Sequence, residues 1–357
     1  MVRRYVARIG LVGLAALAAL VMGGGRLASS DREPDWGDAV AAGQSPTPSQ
    51  QACRAVRGKE IPAAHLADAQ AAAASLKDCD AEALYYGIGR PADVVAARRC
   101  AILHSRTTGG EAAGLFDGDE LLMTIYANGS GVARDLDLAI KLSCGLQAAP
   151  FEHDGRVASL LARKTGDDET PFHYCQDITS GYAMGWCARH EQRFAIARRE
   201  ADIARLTAGL TPTGETVFVR LREAAAAYAE ARAFHETDLS GTARGAFAVE
   251  SEEAVWTDFM DLLGQVAAGG RLAGDAGEAK AADVALNAAY RERLAGSFDD
   301  QGSITADGIR QAERAWIRYR DAWLAFVRAA HPEASEDGVN AHLTRERTKA
   351  LQTLGDQ

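Results

Sequence analysis

A pattern that occurs twice, 42 residues apart, constrains the fold of the first half of this chain. The glycines of the pattern supply the left-handed backbone on which many helices end, and its Asp is a common cap for the helix that follows. Its Ala is small enough to let two helices cross closely. The pattern therefore predicts two helix-turn-helix units, with first helices at about residues 81–86 and 120–127. The two copies are Gly87-x-Gly89-x3-Asp93-x3-Ala97 and Gly129-x-Gly131-x3-Asp135-x3-Ala139.

The second copy carries further matching residues, Leu121-Leu122-Met123-x2-Tyr126 before its glycines and Val132 after them. With these residues it resembles the Sel-one-like family of tetratricopeptide-related repeats, whereas the first copy lacks the Val. The resemblance implies a short α-solenoid at about residues 79–165 that is used for protein contacts and has no catalytic residues. We assign residues 52–168 to this repeat region.

Composition and charge restrict the class of protein. The chain has 357 residues, enough for two or three domains, and its ordinary globular composition is tilted towards Ala, the best helix former. We therefore expect an all-α fold. The net charge of −10 argues against a nucleic-acid groove, which needs a basic face. An acidic surface would attract a cationic partner, although charge of this size also serves solubility alone.

The first 28 residues have the layout of a secretory signal. Arg3, Arg4 and Arg8 precede an apolar run from Ile9 to Met22, and small residues follow. This segment predicts a periplasmic or other extracytoplasmic location, with an uncleaved anchor as the alternative and as the sole membrane contact. Residues 29–51 are rich in Pro, Ser, Gly and Gln, a composition that predicts a disordered linker.

The cysteines all follow the signal, and an even number in an exported chain suits three disulfides. No two of them form Cys-x2-Cys, so we expect no metal site, and no pattern for a cofactor is present. Cys79 and Cys100 are nearly equidistant from the Gly87 turn on two antiparallel helices, which makes them a candidate pair. The six residues are Cys53, Cys79, Cys100, Cys144, Cys175 and Cys187.

A long helix with one apolar face is predicted at residues 306–328, because its apolar residues return at spacings of three and four. These residues are Ile309, Ala312, Trp316, Tyr319, Trp323, Phe326 and Val327. A second internal similarity, at an offset of 88 residues, relates Leu221, Tyr228 and Arg232 to Ile309, Trp316 and Arg320. We therefore divide residues 169–357 into two related units, about 169–268 and 278–357, joined by a glycine-rich hinge at 267–277.

Three motifs in the C-terminal part resemble the LprI family, whose N-terminal domain is described as a lysozyme inhibitor. They are Asp283-x3-Asn287-x2-Tyr290, Glu313-x2-Trp316-x3-Arg320-Asp321 and Leu343-x3-Arg347-x3-Leu351, and Cys175-x8-Met184-x2-Cys187 matches the family's opening. The resemblance covers about residues 171–357. Two features depart from the family pattern: Glu313 stands where Gln is common, and the Cys pair that often follows the Arg-Asp is absent.

The LprI resemblance implies a disulfide between Cys175 and Cys187. With Cys79 and Cys100 as the second pair, Cys53 and Cys144 remain as the third by elimination. The fold class expected for the whole chain is thus all-α: a short α-solenoid followed by an LprI-like helical domain, with disulfides holding the structure together.

The polar motif residues have two interpretations. Asn287, Tyr290, Arg320 and Asp321, beside Trp316, either form a recognition surface or make a buried Arg–carboxylate pair whose Asn and Tyr donors join two helices. We favour the structural interpretation.

A polar loop offers a second candidate recognition site, because loops often carry function. Within it Asp238 and Ser240 are equally suited to be turn and cap formers. Its polar residues are His235, Glu236, Asp238, Ser240 and Arg244.

The sequence favours binding over catalysis. It has no His-Glu-x2-His, no Gly-x-Ser-x-Gly and no phosphate-binding loop. We expect a non-enzymatic protein of the cell envelope with a protein partner, and the specific hypothesis is inhibition of a cationic lysozyme by steric occlusion. The alternative is an envelope scaffold without inhibitor activity. A hydrolase that uses two carboxylates remains a third class.

Overall fold

A computed structural model describes residues 35–112, 114–270, 272 and 274–354 of the chain. These residues form α-helices and four short 3-10 helices, without strands, so the predicted all-α fold is confirmed. None of the helices described is long and apolar enough to span a bilayer. The α-helices are α1 (Pro48–Ala55), α2 (Ala63–Ala72), α3 (Ala81–Tyr86), α4 (Val94–His104), α5 (Gly118–Asn128), α6 (Leu136–Gly145), α7 (Pro150–Thr165), α8 (Gly181–Thr207), α9 (Pro212–His235), α10 (Arg244–Ala267), α11 (Ala276–Ala295), α12 (Ala306–Ala330) and α13 (Glu336–Gln352).

The 42-residue pattern forms two helix-turn-helix units of the same geometry, α3–α4 and α5–α6. Gly87 and Gly129 end the first helix of each unit at φ values of 72° and 67°. Asp93 and Asp135 cap the second helix, each accepting a hydrogen bond at 2.9 Å from the amide three residues on. Consecutive helices from α3 to α7 pack on one another. The local signals in the sequence therefore correctly place these turns and caps.

Three disulfides join the six cysteines, and the pairs are those expected from the sequence: Cys53–Cys144, Cys79–Cys100 and Cys175–Cys187. Cys175 lies in a 3-10 helix before α8, so the chain can turn back and bring its sulfur to Cys187 on α8. All three disulfides lie within or beside the first hydrophobic core.

The linker prediction is wrong for the two ends of residues 35–51, which form a 3-10 helix and the start of α1 and contain buried residues. Asp35 caps a 3-10 helix at Trp36–Asp38. The Trp36 indole stacks on His153 with ring centroids 4.7 Å apart, and its Nε1 donates to Ser49 Oγ at 2.8 Å. Thr47 begins α1 with a capping box. One aromatic anchor and a capped helix thus outweigh a composition that, on average, disfavours order. The predicted signal, and linker residues 29–34, lie outside the described residues.

The second half of the molecule is a six-helix arrangement that begins within α8. The start of α8 belongs to the first core through Cys187, whereas Ile203 near its end belongs to a second core. In this half α8 packs on α10, α11 on α13, and α9 on α12. In each of the two predicted units, α8–α10 and α11–α13, the first helix packs on the third. This agrees with an origin from related units, which remains a prediction. All seven residues of the predicted α12 stripe are buried.

Candidate functional site

A buried ion cluster lies at the centre of the second half. Arg347 on α13 is only 1% exposed. Its Nη1 and Nη2 donate to the two carboxylate oxygens of Glu236 at 2.7 and 2.6 Å, and its Nε donates to Glu313 at 2.9 Å. Glu236 ends α9 and Glu313 lies on α12. These three residues and Tyr228, which we call the Arg347 cluster, therefore connect three helices by charge-assisted bonds.

In the Arg347 cluster one buried cation is shared by two carboxylates, and a second cation, Arg232 on α9, lies 3.8 Å from Glu236. Burial raises the pKa of Glu313, and the attraction of Arg347 opposes this effect only in part. Burial also disfavours the charge of Arg347, but Tyr228 and Glu236 hold the pKa of Arg347 well above its ordinary value. The Tyr228 ring faces the guanidinium at 5.7 Å and stacks on Tyr319 at 5.3 Å. Since both carboxylates already bond the same guanidinium, the cluster joins helices and offers no free acid–base pair.

The prediction that Arg320 and Asp321 form a buried pair is wrong. The two side chains do bond, at 2.8 and 3.0 Å, but they are consecutive residues of α12 and the Asp321 side chain is 58% exposed. Asn287 is also exposed and bonds the backbone carbonyl of Asp283, one turn back on its own helix. Neither the Arg320–Asp321 bonds nor the Asn287 bond links two helices.

The other two motif residues lie at or near the core. Trp316 is buried, and the Arg320 guanidinium lies 5.2 Å from the centre of its ring. Tyr290 is half-buried, and its pKa is raised by burial and then by the nearby Glu313. The buried ion pair is instead Arg347 with Glu236. The sequence pointed to one of these two residues, because Arg347 belongs to the third LprI motif. Its partner Glu236 is 111 residues away, in a loop that the sequence assigned to recognition.

The candidate recognition loop is divided between core and surface. Glu236 is buried in the Arg347 cluster and is therefore unavailable to a partner. Asp238 accepts hydrogen bonds from the amides of Ser240 at 2.9 Å and Ser303 at 3.0 Å, as a turn former does. His235 is half-buried, and Arg244 begins α10 with one long bond of 3.5 Å to the Gly241 carbonyl. No common binding surface results from these residues.

Negative charge is concentrated on α10 rather than in the segment with the LprI motifs. Residues 275–351 contain eleven Lys and Arg and thirteen Asp and Glu, a net charge of −2, whereas α10 has five acidic residues and one Arg. Glu250, Asp258 and Asp261 on α10 are exposed, as is Glu346 on α13. Partial burial, and then repulsion from Glu346, raise the pKa of Asp258. We call these four residues the acidic face.

One group of possible metal ligands occurs in the part of the chain that the structure describes. The ligand atoms of Cys79, Cys100 and His104 lie within 4.8 Å of one another. Both sulfurs are joined in a disulfide, which removes the thiolates that a metal would need. His104 instead bonds Asp117 at 2.7 Å.

Comparison with known proteins gives one family. A family model described as "Lysozyme inhibitor LprI" matches residues 275–351, a shorter stretch than the resemblance noted in the sequence. Searches of the curated proteins and of the solved structures found no match. The matched stretch comprises α11, α12 and most of α13, and it contains two members of the Arg347 cluster, Glu313 and Arg347. Over this stretch the chain is therefore similar to the LprI family of lysozyme inhibitors.

Proposed function

We propose that this protein is an exported, non-enzymatic binding protein of the cell envelope and that its partner is a lysozyme. The observation that carries the proposal is the family match over residues 275–351. The buried Trp316 and Arg347 support it, since the motif residues here hold a packed helical core together. The sequence of the first 28 residues supports export.

We infer that inhibition is steric and that the acidic face brings the two proteins together. A lysozyme that is cationic would be attracted by Asp258, Asp261, Glu250 and Glu346, none of which has an ion-pair partner among the described residues. Such attraction mainly raises the association rate and weakens as salt shortens the Debye length from about 10 Å at 0.1 M. Because the matched segment has a net charge of only −2, α10 supplies much of this attraction.

The test is the clearing of a cell-wall suspension by a c-type lysozyme, with and without a molar excess of the disulfide-intact protein. The proposal expects slower clearing at low salt and weaker inhibition near 0.3 M salt. The double variant Asp258→Lys/Glu346→Lys should need at least about tenfold more protein for the same inhibition, because repulsion replaces attraction. The double variant Glu223→Lys/Glu230→Lys, at two exposed sites on α9 outside the acidic face, makes the same change of net charge and is the control for charge alone.

Three outcomes separate the proposals. Clearing at the uninhibited rate at both salt concentrations would reject inhibition of this lysozyme class and favour the envelope scaffold. Inhibition that is independent of salt and of the double variant would keep the function but reject the acidic face. Equal losses in Asp258→Lys/Glu346→Lys and in the control Glu223→Lys/Glu230→Lys would assign the effect to net charge.

A further inference from the structure

A cleft lies outside the LprI-like segment, between α8 and the repeat region. It has a volume of about 330 Å³, within the range of roughly 300–1,000 Å³ that is typical of small-molecule sites. One wall is formed by α8. The opposite wall is formed by the start of α3 and by the segment that leads into α5. Its lining includes Glu82, Phe116, Trp186, Arg189, His190 and Arg193.

The α8 wall is an aromatic surface held in a fixed position. Tyr182, Trp186 and His190 follow one another at intervals of four residues, so they share one face of the helix. The Trp186 indole packs on Gly114, where an added Cβ would come within 2.2 Å of the ring. Phe116 stacks on His190 with ring centroids 3.9 Å apart and an angle of 8° between the rings. Because Phe116 and His190 are buried against each other, the half-buried Trp186 is the ring of the cleft that remains accessible to a ligand.

The polar groups of the cleft are positioned by one another. His190 Nδ1 bonds Glu82 at 2.5 Å, and Arg193 donates to both Glu82 and Asp80. Arg189 has a single weak bond, from Nη1 to Gln192 at 3.2 Å, so most of its guanidinium is available to a ligand. Carboxylates accept hydrogen bonds in pairs and guanidiniums donate them in pairs.

We propose that this cleft binds a carbohydrate of one or two pyranose rings. A pyranose has an apolar face of C–H groups that packs on an aromatic ring, and neighbouring hydroxyls that bond planar carboxylates and guanidiniums. The carboxylates of Asp80, Glu82 and Asp117 in or beside the cleft disfavour a phosphate or another strong anion, and this favours a neutral sugar. The proposal is independent of lysozyme inhibition because none of these residues lies in 275–351.

The test is calorimetric titration of the full protein with soluble β-1,4-linked N-acetylglucosamine oligomers, with cellobiose and maltose as further probes. We expect saturable binding of at least one of these sugars. Trp186→Ala should weaken that binding about tenfold or more, because stacking on the indole is lost. Arg189→Ala should weaken it as well, and Phe151→Ala, which removes an aromatic side chain that is 79% exposed on α7, should leave it unchanged.

The outcomes decide the proposal without reference to lysozyme. Absence of saturable binding by the unmodified protein for all three sugar types would overturn it, as would equal affinity of the Trp186 and Arg189 variants and the unmodified protein. If Trp186→Ala does not fold, Arg189→Ala decides the question, since the Arg189 side chain is exposed and has one weak bond, so its removal should leave the fold intact.

Discussion

The substitution Glu236→Gln tests whether the Arg347 cluster stabilises the second half of the protein. It keeps the size of the side chain but removes the charge that faces a guanidinium buried to 99%. Breaking a buried ion pair by removing one partner costs about 3–5 kcal/mol. The bond from Arg347 to Glu313 at 2.9 Å remains. We therefore expect a loss near the lower end, about 3 kcal/mol.

Urea unfolding followed by circular dichroism and tryptophan fluorescence measures this loss, since Trp316 and Trp323 belong to the same core as the cluster. For a unit of 150–250 residues the loss corresponds to a fall in Tm of about 6–12 °C. Asp321→Ala is the matched control. It also removes a carboxylate bonded to an Arg, but one that is 58% exposed, so it should cost no more than about 1 kcal/mol.

A double variant separates the unpaired charge from lost packing. Glu236→Gln combined with Arg347→Met removes the cation as well, and its cost should be clearly smaller than the sum of the two single costs. If Glu236→Gln unfolds within 1 kcal/mol of the unmodified protein, or if Asp321→Ala costs as much, the reasoning that assigns stability to this cluster is wrong.

Three further predictions concern stability. The pKa of Glu313 is raised above 4.5, so the stability that its protonated form contributes is full below pH 4.5 and is lost as the pH rises through the raised pKa. In urea titrations from pH 4.5 to 7, Glu313→Gln, which cannot ionise, should therefore gain stability relative to the unmodified protein. Gly129→Ala forces a φ of +67° on an L-residue and should lower the unfolding free energy by about 1–2 kcal/mol, whereas Gly145→Ala, with open space around its Cβ, should not lower it. Replacing Cys53 and Cys144 by Ser opens a loop of 91 residues and should cost about 4–5 kcal/mol in non-reducing urea titrations; a cost under 2 kcal/mol would argue against this disulfide as a major constraint on the unfolded chain.

Local signals explain which expectations were confirmed. The left-handed turns at Gly87 and Gly129 and the caps at Asp93 and Asp135 depend only on residues within one turn of helix, so the sequence specifies them directly. The buried stripe of α12 follows from helical periodicity in the same way. The disulfides could also be inferred, because the LprI resemblance implies Cys175–Cys187 and the turn at Gly87 suggests Cys79–Cys100, which leaves only Cys53 with Cys144.

Contacts between distant segments explain the failures. Composition averaged over residues 29–51 could not show that Trp36 would stack on His153. The motif with Arg320 and Asp321 suggested a buried pair, but only the packing of α12 decides that the Asp321 side chain lies at the surface.

The sequence by itself determined the helical class through its composition, and the repeated turns and the LprI motifs through residue spacing along the chain. The LprI resemblance in turn implied the Cys175–Cys187 pair. Only the tertiary structure decided that Arg347 is paired with Glu236 and Glu313, and that Trp186 faces Glu82 across a cleft. Ion pairing and cleft formation depend on which helices meet and how deeply they bury their polar groups. Those distances and the loss of solvent appear only after the chain has folded.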